Sequence, residues 1–281
     1  MVDSGVSTAS QQVEADWRLP ARRRWWTGPL DEIASRWSRL IRHAGTRLGG
    51  APRLSGRPPS ANGASSLHLV WEVPSGEDLI EASVSLVVPA LPRVPRLYFW
   101  ALQVSFEAGS GAHLGLQWAA DPPRKLRHVN WGGYGTTGAE LSGGTSNLPS
   151  SFNNPNTRDY DWQPGRPYRL RISREAGRWA GWVDKTLVRG LDAPGETLRD
   201  PVVWSEVFAD CDDPAVSVYW FDLEVVTQSG RRLRIDSVVA RYQSRHEGGC
   251  DNTSSETDGK AFVQTTNAIR ASPPGVRLRV N

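Results

Sequence analysis

Five aromatic residues, Trp131, Tyr134, Tyr160, Trp162 and Trp182, stand among side chains that can complete a sugar site. A sugar ring offers an apolar C–H face that packs on an indole, while its hydroxyls need planar amide or carboxylate partners. Asn130, Asn153, Asn156, Asp159, Asp161 and Asp184 lie close enough along the chain to serve. The binding set predicted is therefore Trp131, Tyr134, Tyr160, Asp161, Trp162, Trp182 and Asp184, converging on one concave face. Strand aromatics also build cores, and alternation along Val129–Trp131 sends Asn130 and Trp131 to opposite faces. One of the two must point outward.

The elements that carry these residues read as β throughout. Short alternating runs recur at Leu97–Val104, His113–Trp118, Val129–Tyr134, Tyr168–Ile172 and Trp179–Asp184, with further candidates at Leu67–Val73, Ala82–Val88, Ala215–Val226, Arg231–Tyr242, Ala261–Ala268 and Arg277–Val280. Gly, Pro, Asn and Asp clusters separate them, the pattern of an antiparallel sandwich or barrel. Alternation assigns Leu102, Val104, Leu114, Leu116, Leu170 and Ile172 to the core. The predicted fold is all-β: a two-sheet antiparallel jelly-roll sandwich over residues 67–281, ample in length for one core.

Residues 1–66 read differently. Leu30, Ile33, Ala34, Trp37, Leu40, Ile41 and Ala44 make one apolar stripe of an amphipathic helix, about residues 29–44. Thr27 can cap it and Gly45 can end it. Gly, Pro, Ser and Ala then dominate to residue 66, which predicts a linker. The helix, preceded by Arg22-Arg23-Arg24-Trp25-Trp26, can pack on the β body, dock on a partner or lie on an anionic membrane surface.

Three stretches carry a resemblance: Gly115-Leu116-Gln117, Val129-Asn130-Trp131, and Asp159-Tyr160-Asp161-Trp162-Gln163-Pro164-Gly165-Arg166-Pro167-Tyr168-Arg169-Leu170. Residues 97–184 resemble the concanavalin A-like jelly rolls of lectins and glucanases. More narrowly, they resemble a bacterial family of uncharacterised domains with that expected fold. In laminarinase-like members of the superfamily, three carboxylates alternate as Glu-x-Asp-x-Glu on one strand, the first as nucleophile and the last as acid/base. The nearest match is Trp220-Phe221-Asp222-Leu223-Glu224, which has tryptophan where that nucleophile belongs. The resemblance thus implies the fold but not retaining hydrolysis by that route, and no catalytic residue is assigned.

Composition narrows the partners. Residues 1–66 hold ten Arg against five acids, whereas 67–281 hold 23 basic and 25 acidic residues. The β body is near neutral, which gives nucleic-acid binding little support. No apolar run approaches the roughly 20 residues of a membrane span, and Met1–Gln12 lacks the basic and apolar regions of a secretory signal. That predicts a cytoplasmic protein, with export as the alternative. A disulfide between Cys211 and Cys250 is possible if the chain is exported, but two free or buried thiols are the expectation in a reducing cytoplasm. No cofactor or metal is implied: the Asp-rich turns at 210–213 and 251–258 match no calcium loop, and the five His show no ligand spacing. The function expected is non-catalytic glycan binding. A carbohydrate-active lyase or hydrolase using Asp161, Asp184, Asp222 or Glu224 is the second reading, and a structural or interaction protein the third. Neither oligomeric state nor ligand is legible.

Overall fold

The structure, a computed structural model, describes residues 52–119, 126–152 and 154–281. The expected helix at 29–44 lies outside them, and so does Asn153. Among the described residues every regular element is a strand. These are β1 (Ser65–Trp71), β2 (Leu79–Val87), β3 (Tyr98–Phe106), β4 (Gly111–Trp118), β5 (Arg127–Tyr134) and β6 (Ser150–Ser151). Next come β7 (Asn154–Asp159), β8 (Tyr168–Glu175), β9 (Arg178–Val183), β10 (Thr186–Leu191), β11 (Leu198–Val207) and β12 (Val216–Thr227). The last are β13 (Arg232–Arg234), β14 (Ser237–Tyr242), β15 (Ser254–Thr257), β16 (Phe262–Thr266) and β17 (Arg277–Arg279).

All ladders are antiparallel, and they resolve into two layers. One runs β17-β14-β1-β11-β3-β4-β5-β7-β6. The other runs β10-β9-β8-β2-β12, and β12 is flanked by β16 and then β15 along its first half and by β13 along its second. Backbone links between the layers include the Leu198–Leu79 and Gly143–Leu191 bridges and the Asn281 N to Gly259 O hydrogen bond. The protein is a β-sandwich.

Alternation explains the core. Leu67, Leu69 and Trp71 of β1 face inward, as do Leu102 and Val104 of β3 and Leu114 and Leu116 of β4. Leu170 and Ile172 of β8 meet them from the second layer, fully buried. The layers touch where the Phe106 and Trp179 rings lie 4.7 Å apart. They are also tied by Gln264 of β16, a buried carboxamide. Its Oε1 accepts from Trp220 Nε1 at 3.0 Å and from Ser205 Oγ at 2.8 Å, and its Nε2 donates to Leu67 O at 2.9 Å.

Turn chemistry fits the sequence. Ala176 and Gly177 both take positive φ between the paired residues Glu175 and Arg178, a two-residue hairpin turn whose twist matches that of the strands. Gln163-Pro164-Gly165-Arg166 closes with an Arg166 N to Gln163 O bond, with Gly165 at φ 77°, the type II pattern. The stretch expected to be a linker is anchored from residue 52 onward. Arg53 N donates to the Asp251 carboxylate and Arg53 O accepts from Asp251 N, Gly56 N donates to the Asp212 carboxylate and Gly56 O accepts from Cys211 N, and β1 begins at Ser65.

Candidate functional site

The seven residues expected at a sugar platform do not converge. Trp131 and Trp162 are fully buried in the core and present no ring face to a ligand. Trp131 Nε1 donates to Trp179 O at 3.3 Å. Trp162 donates to Gln117 O at 3.0 Å and meets Trp100 edge-on at 5.8 Å. The physical reason is area: burying an indole between two sheets removes more apolar surface from water than any smaller residue there would. Trp182 lies on the outside of the second layer, 5.0 Å below the Arg171 guanidinium, with Nε1 on Glu175. Tyr134 is exposed at the end of β5. Tyr160 packs edge-on against Tyr168, and its hydroxyl is pushed up to about 12 by burial first and then by Asp184. Asp161 pairs with Arg127, and Asp184 with Arg166 while accepting from Arg169 N at 2.8 Å.

Of the carboxylates considered for catalysis, Asp184 accepts from Arg169 N, while the Arg169 guanidinium donates to Asp222 O and lies 3.9 Å from Glu224. Asp222 sits at a register break of β12 with φ 51°, so alternation fails between Trp220 and Glu224. Trp220 and Leu223 both turn inward, Asp222 is exposed, and Glu224 pairs with Arg232 at 2.7 Å. A bulge re-aims the side chains that follow it, and here it dissolves the alternating triplet.

The outer face of the first layer brings together a set that the sequence reading left unassigned. Since Leu67, Val203, Leu102, Leu114 and Trp131 point inward, their alternate neighbours share the opposite face. Register places them in rows across β1, β11, β3, β4 and β5. The central row is His68, Trp204, Ala101, Gly115 and Asn130. On one side lie Ser66, Glu206, Phe99, Gln117 and His128, and on the other Val70, Val202, Gln103, His113 and Gly132. Phe99, Ala101, Val202 and Trp204 form a second apolar cluster, separate from the main core.

Rings and amides alternate over this face, where Phe99, Trp204, Gln117 and Asn130 are buried and His68, Gln103, His113 and Glu206 are half-buried. Phe99 meets Trp204 at 4.9 Å and His113 at 5.4 Å, both edge-on. Trp204 Nε1 donates to Gln103 Oε1 at 3.0 Å. Ala101 and Gly115 are buried, and a Cβ on Gly115 would stand 2.0 Å from Trp100 O, so β3 and β4 pack closely there. Asn130 Nδ2 donates to Thr157 Oγ1 at 2.9 Å. Its Oδ1 is buried without a well-formed hydrogen bond and turns toward His113. Over Gly132 the space is filled by Asn156, itself bound by Arg189 at 2.9 Å.

The electrostatics of the face are those of a neutral surface. Burial pushes His113 down to about 4, only partly offset by Asn130, so its imidazole is uncharged at neutral pH. His68 is lowered by burial and by Arg241, against Glu247. Burial raises the Glu206 carboxyl despite hydrogen bonds from Asn62, at 2.8 Å, and Ser66. None of the positions in the three rows is Lys or Arg. The signal was present in the sequence: Gln103, His113 and Gln117 interleave with the residues assigned to the core.

No protein-family model and no curated protein matches the chain. Solved structures with similarity include Scytalido-glutamic peptidase bound to a peptide-based transition-state analogue, at 10% identity and TM-score 0.40 over 75% of this chain and 98% of that one. The carbohydrate-binding module CBM66 from Bacillus subtilis aligns at 11% identity and TM-score 0.33, over 56% of this chain and 89% of its own. The galectin-1-L2 of Dario rerio aligns at 7% identity and TM-score 0.29, over 57% and 95%. At such scores these likenesses do not choose between peptide and sugar chemistry.

Proposed function

We propose that the protein is a carbohydrate-binding sandwich of the concanavalin A-like jelly-roll type, and that it binds a neutral glycan on the outer face of its first layer. The observation that carries this reading is the composition of that face. Ring edges from Phe99, Trp204, His68 and His113 stand beside the carboxamides of Gln103, Gln117 and Asn130 and the carboxylate of Glu206, with no cation in the rows. Planar amides and a carboxylate match paired hydroxyls, and ring edges match C–H faces. A phosphate-bearing ligand would call for Arg or Lys instead.

Binding is favoured over the carbohydrate-active alternative because Glu206 is the one acid in these rows. Two-carboxylate hydrolysis needs a second acid within about 5–10 Å. Asp159, on β7, is four strands from Glu206, roughly 19 Å at the spacing of a sheet. The Cys211–Cys250 disulfide supports an oxidising location over the expected cytoplasmic one.

The test is a glycan array followed by calorimetry on the hits. Gln117→Ala removes only the carboxamide, since Trp162 is held by the backbone oxygen of Gln117. It should weaken binding about three- to tenfold, the loss of one or two ligand hydrogen bonds, and leave thermal stability unchanged. Array hits indifferent to both Gln117→Ala and Asn130→Ala would place the ligand elsewhere.

A further inference from the structure

Asn62-Gly63 is the one Asn-Gly pair in the sequence, and it stands on the turn that leads into β1. Gly63 N donates to Ser60 O at 2.9 Å, which closes the turn, and Gly63 takes φ 76°. Asn62 is exposed, yet both ends of its carboxamide are engaged. Its Oδ1 accepts from Ala64 N at 3.1 Å, the bond that turn asparagines make two residues on. Its Nδ2 donates to Glu206 Oε1 at 2.8 Å. Asn62 is thus a donor to the one acid in the rows of the outer face.

This pair can react with itself. A glycine nitrogen has no Cβ beside it, so it can reach the preceding side-chain carbonyl carbon without a clash. Attack of Gly63 N on Asn62 Cγ forms a C–N bond and breaks the Cγ–Nδ2 bond. Nδ2 leaves as ammonia, carrying the proton that the Gly63 nitrogen gives up. Water then opens the cyclic imide, giving aspartate when it adds at the backbone-facing bond to Cγ and isoaspartate when it adds at the main-chain carbonyl. The Ala64 N–H polarises the Asn62 side-chain carbonyl, and exposure admits the water. The Gly63 N to Ser60 O bond must open for the attack, so the turn sets the pace.

The aspartate would keep the place of the asparagine and reverse its role. One carboxylate oxygen can accept from Ala64 N as the amide oxygen does, which aims the other at Glu206 where a donor stood. Burial already raises the Glu206 carboxyl against the bond from Asn62. Losing that bond and gaining a like charge act in the same direction. We propose that Asn62 is a self-deamidation site whose conversion sets an acid against Glu206 and weakens ligand binding on the outer face of the first layer. The effect on binding rests on the glycan reading of that face, whereas the modification does not.

The full chain is incubated at mildly alkaline pH in heavy-oxygen water, digested and read by mass spectrometry. The peptide spanning Asn62 should exchange its amide for a labelled acid at least about tenfold faster than peptides spanning Asn147 or Asn267, which precede Leu148 and Ala268. Asn62→Gln would have to close a larger ring and should stay intact. In Asn62→Asp, the Glu206 titration followed by carboxylate NMR should rise by roughly one pH unit over fresh wild type. Glycan-array hits should bind Asn62→Asp about three- to tenfold more weakly. Conversion of Asn62 no faster than that of the other asparagines, or an unmoved Glu206 titration, overturns the proposal. Hits weakened by Gln117→Ala but indifferent to Asn62→Asp overturn the coupling and leave the glycan face standing. An array without hits removes the glycan face and the coupling with it, while the mass and titration results decide the modification by themselves.

Discussion

Replacing Gly181 by alanine tests where Trp131 sits. Gly181 lies at the centre of β9, between Ile172 of β8 and Arg189 of β10. An added Cβ would stand 2.6 Å from Trp131 Cγ and 2.8 Å from Cδ1 and Cδ2. Ordinary contact needs about 3.5–4.0 Å, so the indole or the strand must move by roughly 1 Å. The indole has little freedom: it is fully buried and bonded to Trp179 O. Overpacking of this kind costs on the order of 1–3 kcal/mol, or roughly 2–12 °C in Tm for a domain of this size. Urea denaturation of wild type, Gly181→Ala, Trp131→Phe and the double variant closes a cycle. The smaller phenyl ring should absorb much of the alanine, giving a favourable coupling of about 1 kcal/mol or more. If Gly181→Ala stays within about 0.5 kcal/mol of wild type, or its cost is unchanged beside Trp131→Phe, Trp131 does not pack on β9 and its exclusion from a ligand platform loses its basis.

Two further outcomes are expected. Gln264→Leu preserves volume but strands Trp220 Nε1, Ser205 Oγ and Leu67 O. It should cost about 3–5 kcal/mol in urea denaturation, and a loss below about 1 kcal/mol would show that these groups are satisfied otherwise. The folded protein keeps His113 neutral down to about pH 4, whereas the unfolded chain takes up that proton near 6.5. The unfolded state therefore binds more protons in this window, and stability falls as the pH drops through it, by roughly 3 kcal/mol. His68 adds in the same sense, while the raised Glu206 carboxyl acts in the opposite one as the folded state takes up its proton first. His113→Asn should flatten the decline between pH 6.5 and 4, and an unchanged profile would refute the buried neutral imidazole.

Much of the architecture was legible because alternation is a local property. The runs at Leu102–Val104, Leu114–Leu116 and Leu170–Ile172 each declare which residues face inward, and the buried set agrees. Alternation along Val129–Trp131 also showed that Asn130 and Trp131 must part company. It did not show which goes in, since that depends on what the facing sheet offers, here Gly181 and Trp179. The Asp222 bulge was invisible for a related reason: a left-handed residue within a strand is fixed by the partners on either side, β2, β13 and β16. The face that gathers Glu206, Gln117 and Asn130 needs the order β1-β11-β3-β4-β5, which departs from chain order at its first two steps. The pairing of Cys211 with Cys250 waits on the same long-range geometry.

That order governs how the protein can be made. The central strands β1 and β2 emerge early, yet Ser65 meets Val207, Leu67 meets Tyr242 and Leu86 meets Trp220. During synthesis β1 and β2 must wait, with apolar faces and open backbone edges, until most of the chain has appeared. Non-local pairing of this kind slows folding and lengthens exposure to wrong partners. The hairpins β3–β4–β5 and β8–β9–β10 are local and free to form meanwhile. A nascent chain arrested near residue 200 would carry both hairpin groups but leave β1 with neither neighbour, a sticky half-sandwich that invites chaperone capture.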